Sequence, residues 1–217
     1  MLQQLGLLQT FRQMVHPFFY EMEGDYHLRN YCRMRITALP KAYKGKEKIK
    51  AILLGADPTN NGIKGKPELI QLSTVFGIGS EYEKYFFKPQ LVNLNAIGFA
   101  KEELYIQNLC RNYFYEQTYA NPYWLTFAQI WLKYLKEELG KLHNKKLPLL
   151  ASSEIIMKAL VNEVPPAKAL YEEPKKYLPL KSEELDRYVY PLYRHYRYSL
   201  SKGNEIYREF LINKLHV

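Results

Sequence analysis

The chain has 217 residues and a formal net charge of +9 at pH 7, with a sequence pI near 9.3. This length fits one domain with a full core, and its 47% hydrophobic content is ordinary for a soluble globular protein. We expect no membrane span, because no apolar run approaches ~18 residues, and no signal peptide, because the first residues lack a basic region and a small-residue cleavage site. The charge favours an anionic partner. Two cysteines, Cys32 and Cys110, give no disulfide framework, so a reduced, cytoplasmic setting is expected.

The first half of the chain begins with a predicted amphipathic helix, since apolar residues recur at helical spacing over the first twenty-odd positions. We assign this helix to an N-terminal helical extension over residues 1–40. A lysine-rich connector over 41–50 leads into a short apolar strand at about 49–54. The glycine-containing segment 59–80 is predicted as a long loop, and 81–98 as a helix.

The second half of the chain continues the alternation of strands and helices. The strands are predicted at about 104–109, 147–151 and 188–193, and the helices at about 123–143, 153–161 and 203–215. The Pro-, Lys- and Glu-rich stretch 162–186 is predicted as a surface excursion. Alternating strands and helices imply a sheet covered on both faces. The predicted fold is therefore a single α/β domain over 1–217, a three-layer α/β/α sandwich with a central, mostly parallel four-stranded sheet.

Three polar residues lie near the ends of predicted strands. Asp57 follows the first strand, Asn108 lies in the second, and His195 follows the last. Ligands of open α/β sheets bind in the crevice beyond the carboxyl ends of the strands. An Asp, an Asn and a His near strand ends are therefore predicted to converge on one pocket.

Four motifs contain or adjoin these residues: Gly55-Ala56-Asp57-Pro58, Leu72-Ser73-Thr74-Val75-Phe76-Gly77, Tyr105-Ile106-Gln107-Asn108, and His195-Tyr196-Arg197-Tyr198-Ser199-Leu200-Ser201. Their order resembles the uracil-DNA glycosylase superfamily over about residues 48–215. In the best-known branch the first motif reads Gly-Gln-Asp-Pro-Tyr-His and the last reads His-Pro-Ser-Pro-Leu-Ser. This chain departs from that branch in two ways: Thr59-Asn60 replaces the Tyr-His pair, whose Tyr blocks thymine, and tyrosines replace the prolines of the last motif.

The resemblance implies hydrolysis of the N-glycosidic bond of uracil, or a related damaged base, flipped out of DNA. Asp57 would stabilise the oxocarbenium-like sugar and orient water, and His195 would donate a hydrogen bond to the departing base. The Asn108 amide offers one donor and one acceptor, which match the O4 and N3–H edge of uracil. Phe76 would stack on the base, and Ala56 belongs to the same predicted base-binding set.

The predicted partner is DNA containing a damaged base, bound by a monomer. The DNA-binding residues are predicted to be Lys64, Lys66, Arg194, Arg197, Ser199, Leu200 and Lys202. Tyr196, Tyr198 or Leu200 is the predicted wedge into the vacated base stack. No metal and no cofactor are expected, since the chain lacks metal-binding motifs and two cysteines cannot hold the iron–sulfur cluster of some branches.

Two other functions fit the same residues. One is a non-catalytic nucleic-acid-binding member of the same superfamily, in which the pocket has lost its activity. The other is a hydrolase of free nucleosides or nucleotides. Release of a base from an oligonucleotide separates the glycosylase from the first alternative, and activity on nucleosides but not on DNA identifies the second.

Overall fold

The computed structural model of the chain describes residues 26–33, 36, 38–65, 68–142, 144 and 146–215. The predicted N-terminal helix lies outside the described residues, as does Lys66. From the predicted helical extension over 1–40, the structure describes one short helix, α1, at Tyr26–Arg29.

The fold is α/β, with a six-stranded mixed sheet in the order β1-β3-β2-β4-β6-β5. Its strands are β1 Tyr43–Lys44, β2 Ala51–Gly55, β3 Leu104–Asn108, β4 Leu149–Ala151, β5 Leu180–Ser182 and β6 Arg187–Pro191. The central strands β3, β2, β4 and β6 are parallel to one another. All residues of β2, β3 and β4 are buried, as in parallel sheets covered on both faces.

The prediction of a four-stranded sheet is wrong, because an antiparallel strand is added at each edge. The strand β1 lies within the segment predicted as a connector, and β5 lies within the predicted surface excursion. These strands have two and three residues and include the exposed Lys44 and Lys181, so neither shows the apolar pattern from which a strand is recognised. Charged residues are common on edge strands, where they discourage pairing with other chains.

The helices that follow α1 are α2 Glu83–Phe86, α3 Lys88–Ala96, α4 Trp124–Gly140, α5 Glu154–Leu160, α6 Ala167–Glu172, α7 Pro174–Tyr177 and α8 Glu205–Leu215. The predicted helix over 81–98 is two helices, α2 and α3. The break falls just before Pro89, which lies in the first turn of α3, where a helix needs no N–H donor. Helix α4 buries an apolar stripe that includes Trp124, Phe127 and Trp131. Among the described residues, no helix combines the length and apolar character that crossing a membrane requires.

The carboxyl ends of β2 and β3 are joined in register, with Gly55 opposite Asn108. Hydrogen bonds continue past the strand ends: Leu109 N donates to Gly55 O and Cys110 N donates to Ala56 O, both at 2.8 Å. The loop that begins at Asp57 therefore leaves the sheet in a fixed position beside Asn108.

Candidate active site

A cavity of about 300 Å³ lies beyond the carboxyl ends of β2 and β3. Its walls are formed by Asp57, Pro58, Thr59, Asn60, Asn61, Gly62, Leu72, Phe76, Tyr85, Phe86, Asn108, Gln117 and Arg194. The volume lies at the lower end of the range for small-molecule sites. The cavity brings together four predicted site residues, Asp57, Phe76, Asn108 and Arg194.

Asp57 is held by three hydrogen bonds. Thr118 Oγ1 and Trp124 Nε1 donate to Asp57 Oδ2 at 2.6 and 2.8 Å, and Thr59 N donates to Oδ1 at 2.9 Å. Burial raises the pKa of the Asp57 carboxyl above its ordinary value, although these three donors favour the charged form. The group is thus an oriented acceptor in a poorly solvated setting.

Asn108 is buried at the end of β3, with 2% of its surface exposed. Its backbone N–H donates to Gln107 Oε1 at 2.9 Å, and Gln107 Nε2 donates to Glu138 Oε1 at 3.0 Å. Within the described part of the chain, Asn108 Oδ1 has no hydrogen-bond partner. Leaving a buried acceptor unsatisfied costs about 1–3 kcal/mol, so this amide is retained at a cost to stability.

Phe76 lies against the Asn108 amide, and Gly55 makes room for both. A Cβ atom added to Gly55 would be 2.3 Å from Asn108 Oδ1 and 2.7 Å from Phe76 Cζ. The backbone of Phe76 is left-handed, at φ 54°, and Gly77 follows at φ 66°. A non-glycine residue in this region costs on the order of 1–3 kcal/mol, and such strain clusters at functional sites.

The loop after Asp57 is held by a side chain that sequence reasoning did not single out. Asn60 Nδ2 donates to Pro58 O and Ile70 O at 3.1 and 2.9 Å, and its Oδ1 accepts from Gly62 N and Ile70 N, both at 3.0 Å. This amide ties Pro58, Gly62 and Ile70 together in a loop that forms part of the cavity wall. An Asn in a glycine-containing loop is a recognisable turn signal, but the distant contacts to Ile70 have no local signature.

The partners of Asp57 were also missed by sequence reasoning. Thr118 and Trp124 lie 61 and 67 positions away from Asp57 along the chain. Trp124 fits the apolar stripe of α4, so its pattern predicts core packing and conceals the indole N–H that reaches the carboxylate.

The segment after β6 is built differently from the loop after β2. Arg194 is exposed and lines the same cavity as Asp57. His195 is exposed and is not among the cavity residues. Its Nδ1 accepts from Arg197 N at 3.3 Å, so a neutral ring carries its proton on Nε2.

One predicted DNA contact is inconsistent with its burial. Leu200 is 0% exposed, and its backbone N–H donates to Asn93 Oδ1 at 3.0 Å, so it is a core residue and not a wedge. Ser199 is partly buried, with its Oγ 3.1 Å from Ser201 Oγ and its carbonyl accepting from Asn204 Nδ2, and its contact with DNA stays a prediction. Of the two predicted tyrosine wedges, Tyr198 packs against Tyr171, with 4.7 Å between the ring centres, whereas Tyr196 is 80% exposed.

The remaining predicted site residues are either exposed or absent from the cavity wall. Lys64, Arg197 and Lys202 are exposed. Ala56, predicted to bind the base, is not among the cavity residues and contributes its carbonyl to the bond from Cys110 N. Among the described residues, no cluster of three or more His, Cys, Asp and Glu side chains is arranged to hold a metal ion.

A scan against protein-family models and a search of curated proteins both return no match for this chain.

Proposed function

We propose that the protein is a DNA glycosylase that hydrolyses the N-glycosidic bond of uracil, or of a related damaged base, flipped out of DNA. The observation that carries the proposal is the Asn108 amide. Asn108 is 2% exposed, its Oδ1 has no partner within the described residues, and it lies against an aromatic ring in a cavity that Asp57 also lines. A base bound in the cavity supplies the missing partner when the amide turns toward it, because Oδ1 itself is buried in the free protein.

The base is recognised by its edge and its face. The Asn108 amide has one acceptor and two N–H donors, so Oδ1 accepts from N3–H while Nδ2 donates to O4 of a uracil-like base. The Phe76 ring covers the face of the base. A site group left unpaired when the wrong base enters gives strong discrimination, and the orphaned oxygen supports this mode of selection.

Asp57 acts on the sugar. Breaking the C1′–N bond builds positive charge on the sugar, and a carboxylate beside it stabilises that charge and orients the attacking water. Three fixed donors orient the carboxylate before substrate binds, which avoids reorganisation during the reaction. The reaction consumes one water and releases a free base and an abasic site.

His195 donates from Nε2–H to the base oxygen as it becomes anionic. Because the ring lies outside the cavity in the free protein, this role requires the segment around His195 to approach the cavity when DNA binds. Arg194, which already lines the cavity, contacts the phosphates or the leaving base from the same segment.

The range of bases includes those with a substituent at C5. In the branch that the first motif resembles, a Tyr blocks thymine, and Thr59 stands at that place in this chain. Thr59 Oγ1 accepts from Phe114 N at 2.8 Å, so its hydroxyl is engaged by the protein.

A second candidate is a nucleic-acid-binding protein without glycosylase activity. The observation that favours it is that the three donors to the Asp57 carboxylate all come from the protein, as they would around a carboxylate that only ties the loop to α4.

The test is a panel of oligonucleotides, each with one uracil, thymine mismatch or oxidised pyrimidine, incubated with the protein and then treated with alkali. The glycosylase proposal predicts strand cleavage at the modified base, undiminished by excess chelator. Binding to every oligonucleotide without cleavage supports the second candidate and overturns the first. Release of base from free nucleosides but not from DNA overturns both.

A further inference from the structure

Tyrosine is unusually frequent in this chain, with 20 residues, and part of this excess lies on the surface. Among the described residues, five tyrosines expose about half of their surface or more: Tyr85 47%, Tyr115 55%, Tyr119 88%, Tyr188 54% and Tyr196 80%. A tyrosine ring buries a large apolar area when it finds a partner, so a group of exposed rings at one place indicates a binding surface.

Four of these five tyrosines belong to segments that contribute residues to the cavity wall. Tyr85 lines the cavity itself. Tyr115 and Tyr119 each stand two positions from Gln117, which also lines it, and Tyr196 stands two positions after Arg194. We call these four residues the tyrosine rim.

The fifth exposed tyrosine, Tyr188, belongs to another part of the molecule. It lies near the start of β6, opposite Lys181 of the edge strand β5. Its position gives a matched control, because its exposed fraction of 54% is nearly that of Tyr115, at 55%.

Cations accompany the rim. The guanidinium of Arg33 lies 5.0 Å from the centre of the Tyr115 ring, and Lys84 Nζ lies 5.0 Å from that of Tyr85. Arg197 follows Tyr196 and is exposed, and the chain as a whole carries +9. One exposed carboxylate, Glu116, stands between Tyr115 and Tyr119 in the sequence.

We propose that the tyrosine rim binds single-stranded nucleic acid, with unpaired bases on either side of the cavity stacked on its rings and phosphates on the neighbouring cations. Aromatic side chains interleaved with cations are how proteins bind single strands without sequence preference. A duplex is a poorer partner, because its bases stack on one another and expose only their edges in the grooves. The proposal rests on the proposed function for what enters the cavity, but stacking on the rim needs no excision.

The experiment measures the affinity of the full chain for an unmodified single strand of about 12 nucleotides and for a duplex of the same sequence, at one fixed salt concentration. The parental protein binds the single strand at least tenfold more tightly. Tyr115→Ala and Tyr119→Ala each weaken single-strand binding by about 5- to 10-fold, from the loss of one stacked base, and change duplex binding little. Tyr119→Phe keeps the ring and binds like the parent, and Tyr188→Ala is also unchanged.

Two results overturn the proposal. One is a duplex bound as tightly as the single strand. The other is a Tyr188→Ala variant that loses as much affinity as Tyr115→Ala, which makes the effect general to surface tyrosines. The two oligonucleotides of the binding test contain no damaged base, so this test is independent of the cleavage panel. A preference for single strands together with no cleavage in the panel overturns the glycosylase proposal alone. Cleavage in the panel together with no preference for single strands overturns the tyrosine-rim proposal alone.

Discussion

The cavity wall built by β2 and β3 and the segment that follows β6 hold their polar groups in opposite ways. Asp57 accepts three hydrogen bonds and Asn108 is 2% exposed, whereas His195 is exposed and accepts one bond at 3.3 Å. Adjacent strand ends fix the first region before any ligand arrives. The second leaves His195 exposed outside the cavity wall, although the neighbouring Arg194 lines the cavity. Under the proposed function, base recognition would be preorganised, whereas the contribution of His195 would require the last segment to move.

The largest effect is expected from Asp57→Asn. Removing the charge beneath the developing cation, with little change in volume, should lower the single-turnover excision rate by about 10³-fold, the upper range for one preorganised electrostatic group. DNA binding should persist. The control is the same chemical change at the exposed Asp186, which lies in the turn between β5 and β6 and pairs with Lys181 of β5. This variant should leave the rate unchanged. Excision by Asp57→Asn at the parental rate removes Asp57 from the chemistry.

A smaller loss, about 10²-fold, is expected for His195→Asn, because a donor that must move into place is worth less than one already fixed. The control is Arg197→Gln on the same segment, which keeps the backbone N–H that donates to His195 Nδ1. It should weaken binding at low salt without changing the single-turnover rate. Equal rate losses in both variants would assign the segment to binding only.

Gly55→Ala tests how tightly the first region is packed. The added Cβ would lie 2.3 Å from Asn108 Oδ1 and 2.7 Å from Phe76 Cζ, so we expect a loss of about 1–3 kcal/mol in the free energy of unfolding. Gly140→Ala, at the end of α4 with nothing within 4 Å, should be neutral or stabilising. Urea denaturation of Gly55→Ala and Gly140→Ala measures the free energy of unfolding of each variant. Equal values would contradict the packing described for the cavity wall.

The remaining prediction concerns the pH dependence of the excision rate. Because burial raises the pKa of Asp57, the excision rate should fall about tenfold per pH unit below an inflection that lies above the ordinary Asp value of about 3.9. A folded-state pKa above the unfolded one means that the stability contribution of Asp57 is present at low pH and lost as the pH rises through the raised pKa. As the pH rises from the unfolded-state pKa through the raised folded-state pKa, the free energy of unfolding of the parent should therefore fall relative to that of Asp57→Asn. An inflection at or below the ordinary value would contradict this electrostatic setting.

The residues that the sequence could reveal are those with a local pattern. Asp57 and Asn108 follow or end apolar runs of parallel strands, and that pattern alone places them at one edge of a sheet. Thr118 and Trp124 reach Asp57 from more than 60 positions away, so their role depends on how α4 packs.

The misplaced residues have a different cause. Leu200 was predicted as a wedge from its place in the last motif and its apolar side chain, yet that side chain is fully buried in the core. The edge strands β1 and β5 were missed because their pairing is decided by the neighbouring strand and not by their own residues.

The most direct measurement is the base preference of Asn108→Asp in single-turnover excision from oligonucleotides with one uracil or one unpaired cytosine. The change replaces a donor and an acceptor with two acceptors, which mismatches O4 of uracil and suits the amino group of cytosine. Excision of uracil should fall at least about tenfold, and the preference should shift toward cytosine. Asn108→Leu is the matched control. It should lose uracil without gaining cytosine, and it should be at least as stable as the parent because Oδ1 has no partner among the described residues. An unchanged preference in a folded Asn108→Asp protein would contradict the assignment of Asn108 as the residue that reads the base.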